Sequence, residues 1–356
     1  MGRRIEHERP QRIPFDELHY ELRPDLVSGL TWAHGNAGRV AAMRFSHFGL
    51  KRLQADAGKR RIAYLVMRAG YSAVTLDDVV HVIAGNVPPP AMRTTANLIR
   101  RAAVLCEAAR QFGQRGDTSN AETAATYVDF VDSGSSTWAR FVGQPRERLL
   151  EVHRGSVEVP PAVRQLYAWI EEDEMIVQEP LLRAAVLHWG LSILYSDPTR
   201  RMAVDAVIDH ELRAGGLDSH GLLVLADSDP GARALRLDNL IVGRADAEGD
   251  LTSFFEHFSM EIARALGELH QRLESFQDRE DRLPWLVVRP PDELDRAIFD
   301  VIERLGAARS SQIIEALHEP PPLRTLQRRL QRLCREGLLA KHGGRRDAFY
   351  QVADRV

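Results

Sequence analysis

Between residues 323 and 346 the chain carries side chains suited to reading a nucleic acid. The segment Leu323-Arg-Thr-Leu-Gln-Arg-Arg-Leu-Gln-Arg-Leu-Cys-Arg-Glu-Gly sets Leu323, Leu326, Leu330 and Leu333 on one face at about 100° per residue. The opposite face carries Arg324, Arg328, Gln331 and Arg335, flanked by Gln327 and Arg332. Arg and Gln suit paired hydrogen bonds to guanine and adenine edges, and the remaining cations suit phosphates. Lys341, Arg345 and Arg346 follow beside two glycines. There they would meet the sugar–phosphate backbone of double-stranded DNA.

Three elements must hold that face in place. Glu293–Leu305 has an apolar stripe of Leu294, Ala297, Ile298, Val301, Ile302 and Leu305, and Gly306 stops it. Ser310 or Ser311 can cap a short second helix bearing Ile313, Ile314 and Leu317. Pro320-Pro-Pro makes the turn into a third helix, which runs from about Leu323 to Glu336 and ends at Gly337. Leu338–Lys341 and Ala348–Val352 then pair across His342-Gly-Gly-Arg. This is the order of a winged helix-turn-helix. The alternative use of such a module is as a protein-docking surface.

Other chemistry-bearing clusters are weaker. Glu171-Glu-Asp-Glu reads as a solvated turn between helices. His210, Glu211, Asp218 and His220 lack the His-Glu-x-x-His register of a zinc site. His34-Gly-Asn-Ala-Gly-Arg reads as a glycine-rich turn leading into a helix, with anion binding at that helix start as the lesser reading. Cys106 and Cys334 are too few for a structural zinc site and read as buried thiols. No metal and no cofactor is expected.

The chain has 356 residues and a net charge of −3. Residues 320–350 hold eight Lys or Arg against two Asp or Glu. A basic module therefore sits on an acidic remainder, which points to a local nucleic-acid surface. Only three of the 47 cations are lysines, so single arginines carry less weight than their placement. Without a run of 18 apolar residues or an apolar N-terminal stretch, no membrane span is expected and a cytoplasmic location is.

Periodicity elsewhere is helical, around Arg39–Leu53, Arg60–Arg68, Thr75–Ile83 with Thr75 as cap, and Thr94–Phe112. Residues 113–137 read as loop around a short helix. Val163–Glu171 is amphipathic, and Leu181–Tyr195 is apolar nearly all round, hence central and buried. Helices from about Arg200 to Arg213 and Ser253 to Phe276 follow. The expected organisation is mainly α: an N-terminal helical region over 1–112, a helical domain over 113–280, a linker at 281–291, and the winged module over 292–356.

The middle domain resembles the Fic/Doc (Fido) family. The likeness lies in His153-Arg-Gly-Ser-Val-Glu-Val-Pro-Pro, Glu179-Pro-Leu-Leu-Arg-Ala-Ala-Val-Leu-His-Trp and Gly249-Asp-Leu-Thr-Ser-Phe-Phe-Glu-His-Phe. The resemblance implies a helical fold, often joined to a winged helix, and transfer of AMP to a hydroxyl. The family's His-Pro-Phe-x-Asp/Glu-Gly-Asn-Gly-Arg loop supplies the base, the magnesium ligand and the phosphate nest. Here that place reads Leu194-Tyr-Ser-Asp-Pro-Thr-Arg-Arg-Met, with Tyr195 where the His belongs and no glycine. Asp197, Arg200 and Arg201 echo the acid and the arginine. A tyrosine, with an ordinary pKa near 10, is a poor base at neutral pH. The expectation is a DNA-binding, transcription-regulatory protein with a catalytically degenerate Fic-like domain, which would serve as a homodimer or sensing surface. The alternatives are a divergent Fic-type nucleotidyltransferase and a protein-interaction module.

Overall fold

Helical periodicity governs nearly the whole chain, and the fold is mainly α, with one two-stranded hairpin among the described residues. The computed structural model describes residues 18–45, 47–71, 73–85, 88–132, 157–225, 249–281, 293–335, 338–344 and 348–353. The first helices are α1 Pro24–Ala42, α2 His47–Arg68, α3 Leu76–Ile83, α4 Arg93–Gln114 and α5 Ala121–Asp132. Then come α6 Pro161–Glu172, α7 Glu174–Gln178, α8 Pro180–Leu194, α9 Pro198–Ala214 and α10 Thr252–Asp281. The last part holds α11 Glu293–Leu305, α12 Ser310–Ala316, α13 Leu323–Arg335, and strands β1 Leu339–His342 and β2 Phe349–Val352.

Local chemistry sets many of the boundaries. Thr75 caps α3 as its sequence suggests: its hydroxyl accepts from the Asp78 amide at 3.2 Å, and Asp78 accepts from the Thr75 amide at 2.9 Å. Proline begins α6, α8 and α9, where its missing N–H costs nothing. Leu181 through Ser192 of α8 are all buried, the all-round burial its composition demands.

The centre of the body is α9, which packs against α2, α4, α5 and α8. Its residues from Met202 to Arg213 are buried although several are charged. Each charge has a counter-charge from another element or from the next turn. Asp205 meets Arg68 of α2 at 2.9 Å, and Glu211 meets Arg183 of α8 at 3.1 Å. Asp209 lies 3.1 Å from both Arg61 and Arg213, and Asp218 lies 3.5 Å from the same two. His210 Nε2 lies 2.6 Å from the Asp117 carbonyl, and burial pushes the pKa of its imidazole down. Glu211 and Asp218 are thus engaged by arginines and His210 by a carbonyl, and among the described residues no group of three or more His, Cys, Asp or Glu side chains is arranged to hold a metal ion. Cys106 lines the same interior, and burial pushes its thiol up to about 12. Gly113 lets α4 lie directly on α9, since a Cβ there would stand 2.5 Å from the Cβ of Arg213 and 2.9 Å from the His210 carbonyl oxygen.

Two sequence expectations fail at the N-terminal end. His34-Gly-Asn-Ala-Gly-Arg is no turn, because it lies within α1. The helix is held by its buried side, Leu26, Ala33, Ala37 and Val40, and by Asn36 donating to the Ala263 carbonyl of α10 at 2.9 Å. Packing along α10 thus overrides two helix-weakening glycines. His34 instead pairs with Glu179 at 2.9 Å. The pattern across Arg39–Leu53 also straddles a break, since Met43 is extended and α2 starts at His47.

The last three helices and the hairpin share one core, with Ile298, Ile302, Ile313, Leu326, Leu330 and Leu333 at its centre. The strands pair antiparallel, His342 opposite Phe349 and Leu339 opposite Val352. His342, expected in the turn, is thus the last residue of β1. Gly306 ends α11 at φ +73°, and Ala308 then exchanges both backbone hydrogen bonds with Tyr350, at 2.9 and 2.8 Å. Arg309, rather than a serine, precedes α12, its amide donating to Gln312 at 2.8 Å. This unit leans on the body through a small apolar cluster of Val80, Ala84, Ala307 and Phe349.

Candidate functional site

Among the described residues α13 is the most sharply divided helix between an apolar and a polar side. Leu326, Leu330 and Leu333 are buried to within 1%. On the other side Arg324, Gln327, Arg328, Gln331 and Arg335 are all exposed. They span about three turns, or roughly 16 Å at 1.5 Å per residue. β1 packs on α13 and carries the exposed Lys341, whose charge reaches Cys334 of that helix. Three arginines, two glutamines and a lysine therefore form one polar strip, with long side chains reaching into solvent. Arg335 Nε makes a weak local contact to the Gln331 carbonyl at 3.4 Å.

Some of the expected residues fare differently. Leu323 was expected on the core face but is 51% exposed, because it stands at the helix's first residue, a turn short of the packed core. Arg332, expected to flank the strip, joins Arg329 on the carboxylate of Asp295 in α11. Arg345 and Arg346 lie outside the described residues, as do Glu336 and Gly337.

Sequence reasoning missed Asp295 and Arg329. A signal was present: Asp295 stands three and seven residues before Ile298 and Ile302, on the apolar stripe of α11. A carboxylate so placed must find a cation or remain uncompensated in the core.

A second candidate place is the connection between α8 and α9. It is only Tyr195-Ser-Asp, and of the side chains that echoed catalysis Asp197 and Arg200 have structural tasks, whereas the buried Nε of Arg201 has no hydrogen-bond partner among the described residues. Asp197 is the N-cap of α9, accepting from the Thr199 amide at 2.8 Å and the Arg200 amide at 3.3 Å. Arg200 pairs with Asp132 at the end of α5, 2.8 Å away, and its guanidinium lies 6.0 Å from the centre of the Tyr195 ring. Tyr195 is 7% exposed, and burial pushes its phenol above the ordinary value, away from use as a base. The connection has no glycine, and the N–H groups at the start of α9 are turned to Asp197.

The interior beside α9 leaves a small cavity, lined by Arg61, Tyr64, Cys106, Asp205, Asp209 and Leu223, with room for about 10 Å³. That is one water molecule at most.

No protein-family model matches the chain, and no curated protein matches it. Among solved structures, a crystal structure of a Fic family protein from Desulfovibrio desulfuricans G20 is similar at 15% identity and a TM-score of 0.45, over 95% of this chain and 98% of that one.

Proposed function

We propose that this chain binds double-stranded DNA through a C-terminal winged helix-turn-helix, with α13 as the helix that enters the major groove. The observation that carries the reading is the strip of Arg324, Gln327, Arg328, Gln331 and Arg335, all exposed on a helix whose other side is core. Arg328 and Gln331 sit nearest its middle and suit base edges. Arg324, Arg335 and Lys341 suit phosphates, with Arg345 and Arg346, which lie in sequence between the two strands, as further phosphate contacts. A helix in the groove with a basic wing beside it is how such modules dock.

The body, with its Fic-like sequence marks, contributes no AMP transfer on this reading. Three observations support that: a capping Asp197, a buried Tyr195 whose phenol is pushed up, and a three-residue connection without glycine. Regulation of transcription follows from sequence-preferring binding, with the body as the part that meets a partner or a second copy.

The test is selection of duplexes from a random pool by the full chain, followed by titration. Arg328→Ala with Gln331→Ala should weaken the selected duplex by about 1–3 kcal/mol for each base edge no longer met and leave a random duplex nearly unchanged. Enrichment of no sequence, or an equal weakening on both duplexes, would refute groove reading by α13.

A further inference from the structure

Five cations lie on α13, yet two of them do not face outward with the rest. Arg329 Nη1 lies 3.3 Å from Asp295 Oδ1, and Arg332 Nη2 meets Asp295 Oδ2. Asp295 itself is 3% exposed, whereas the two arginine side chains keep 28% exposure each. The carboxylate is therefore inside, and the guanidinium groups bridge from it to the edge of the polar strip. By helix geometry Arg332 stands about 40° round from Arg328 and Arg329 about 100° round. Arg332 is thus near enough to the strip to reach a phosphate if it were released.

This arrangement has two physical consequences. Two guanidinium groups converging on one buried carboxylate fix the rotation of α13 about its own axis relative to α11, because turning the helix would strip both from Asp295. The same pairing withholds two cations from a surface that would otherwise attract any duplex, since phosphate attraction is blind to sequence.

We propose that Asp295 is a specificity-determining positioning residue: it holds Arg329 and Arg332 away from phosphate and sets the angle at which Arg328 and Gln331 meet the bases. The inference rests on the DNA-binding reading above and deepens it. It assigns Arg332 to orientation rather than to contact with DNA.

The full chain carrying Asp295→Asn tests it, titrated against a selected and a random duplex over a range of salt. Asparagine keeps the shape and removes the charge. Release of the arginines should raise affinity for the random duplex severalfold and steepen the salt dependence by about one to two in log–log slope. The ratio of selected to random affinity should fall. Mere damage to the fold would instead lower both affinities together, and that outcome, or an unchanged ratio and slope, overturns the inference. Arg332→Gln is the second variant. It should alter the random-duplex slope less than Arg335→Gln does, and an equal or larger change would return Arg332 to the phosphate contacts. Wild-type chain that binds neither duplex at low salt refutes the DNA-binding reading itself, and this inference falls with it. Binding with Asp295→Asn indistinguishable from wild type removes this inference alone.

Discussion

Asp197 marks where residue identity and residue task part company. In sequence it stands two residues after Tyr195 and three before Arg200, in the order of an acid and an arginine around a phosphate. In the structure its side chain faces the amides of Thr199 and Arg200 and caps the start of α9. Asp197→Ala should therefore cost about 1 kcal/mol of stability, the usual worth of a cap, in thermal unfolding. The loss should be the same with magnesium and ATP present as without them. A stabilisation of the wild-type chain by that pair, absent in the variant, would show a nucleotide site instead. At this scale the exposed strip was legible, because a leucine every three or four residues fixes which side of α13 turns to solvent. The Asp295 pairing was not, because its partners lie 34 and 37 positions away. A charge on an apolar stripe announces that it needs a partner without saying which one.

The elements are held by how closely α9 can be approached. Gly113 of α4 leaves no room for a side chain, since backbone of α9 stands 2.9 Å from where a Cβ would be. Gly190 of α8 is also crowded, but by the methyl groups of Leu166 at 2.7 Å, which can turn away. Gly113→Ala should thus destabilise by about 1–3 kcal/mol, and Gly190→Ala by less, as read from urea midpoints. The reverse order would mean that α4 is not seated on α9 as described. Most elements were readable from period and caps: α3 from Thr75 and its aspartates, and α8 from its continuous apolar run. α1 was not. Its His-Gly-Asn-Ala-Gly segment has the composition of a turn, and packing against α10, more than 200 residues later, keeps it helical. Local propensity is a weak prior where a long-range partner exists.

The whole molecule joins a helical body to a small unit with its own core, through Val80 and Ala84 on one side and Ala307 and Phe349 on the other. His81 and His342 lie against the Phe349 ring from the two sides of that junction, 5.5 and 5.2 Å between ring centres. The hairpin is thus tied to the body at Phe349, while the α13 strip stays exposed. The mainly α character was plain in the sequence, and so was the helix–helix–helix–hairpin order of the last part. The junction was not, since four small or scattered apolar residues give no periodic signal. The most direct test of DNA binding is the salt dependence of the full chain's affinity for a random-sequence duplex. It should be compared with that of a variant carrying Arg324→Ala, Arg335→Ala and Lys341→Ala. Wild type should bind at low salt, with the log–log slope of affinity against salt shallower in the variant by about 0.9 for each phosphate no longer neutralised. Absence of wild-type binding at low salt, or the same slope in both proteins, would contradict the proposal that α13 and β1 form a DNA-binding surface.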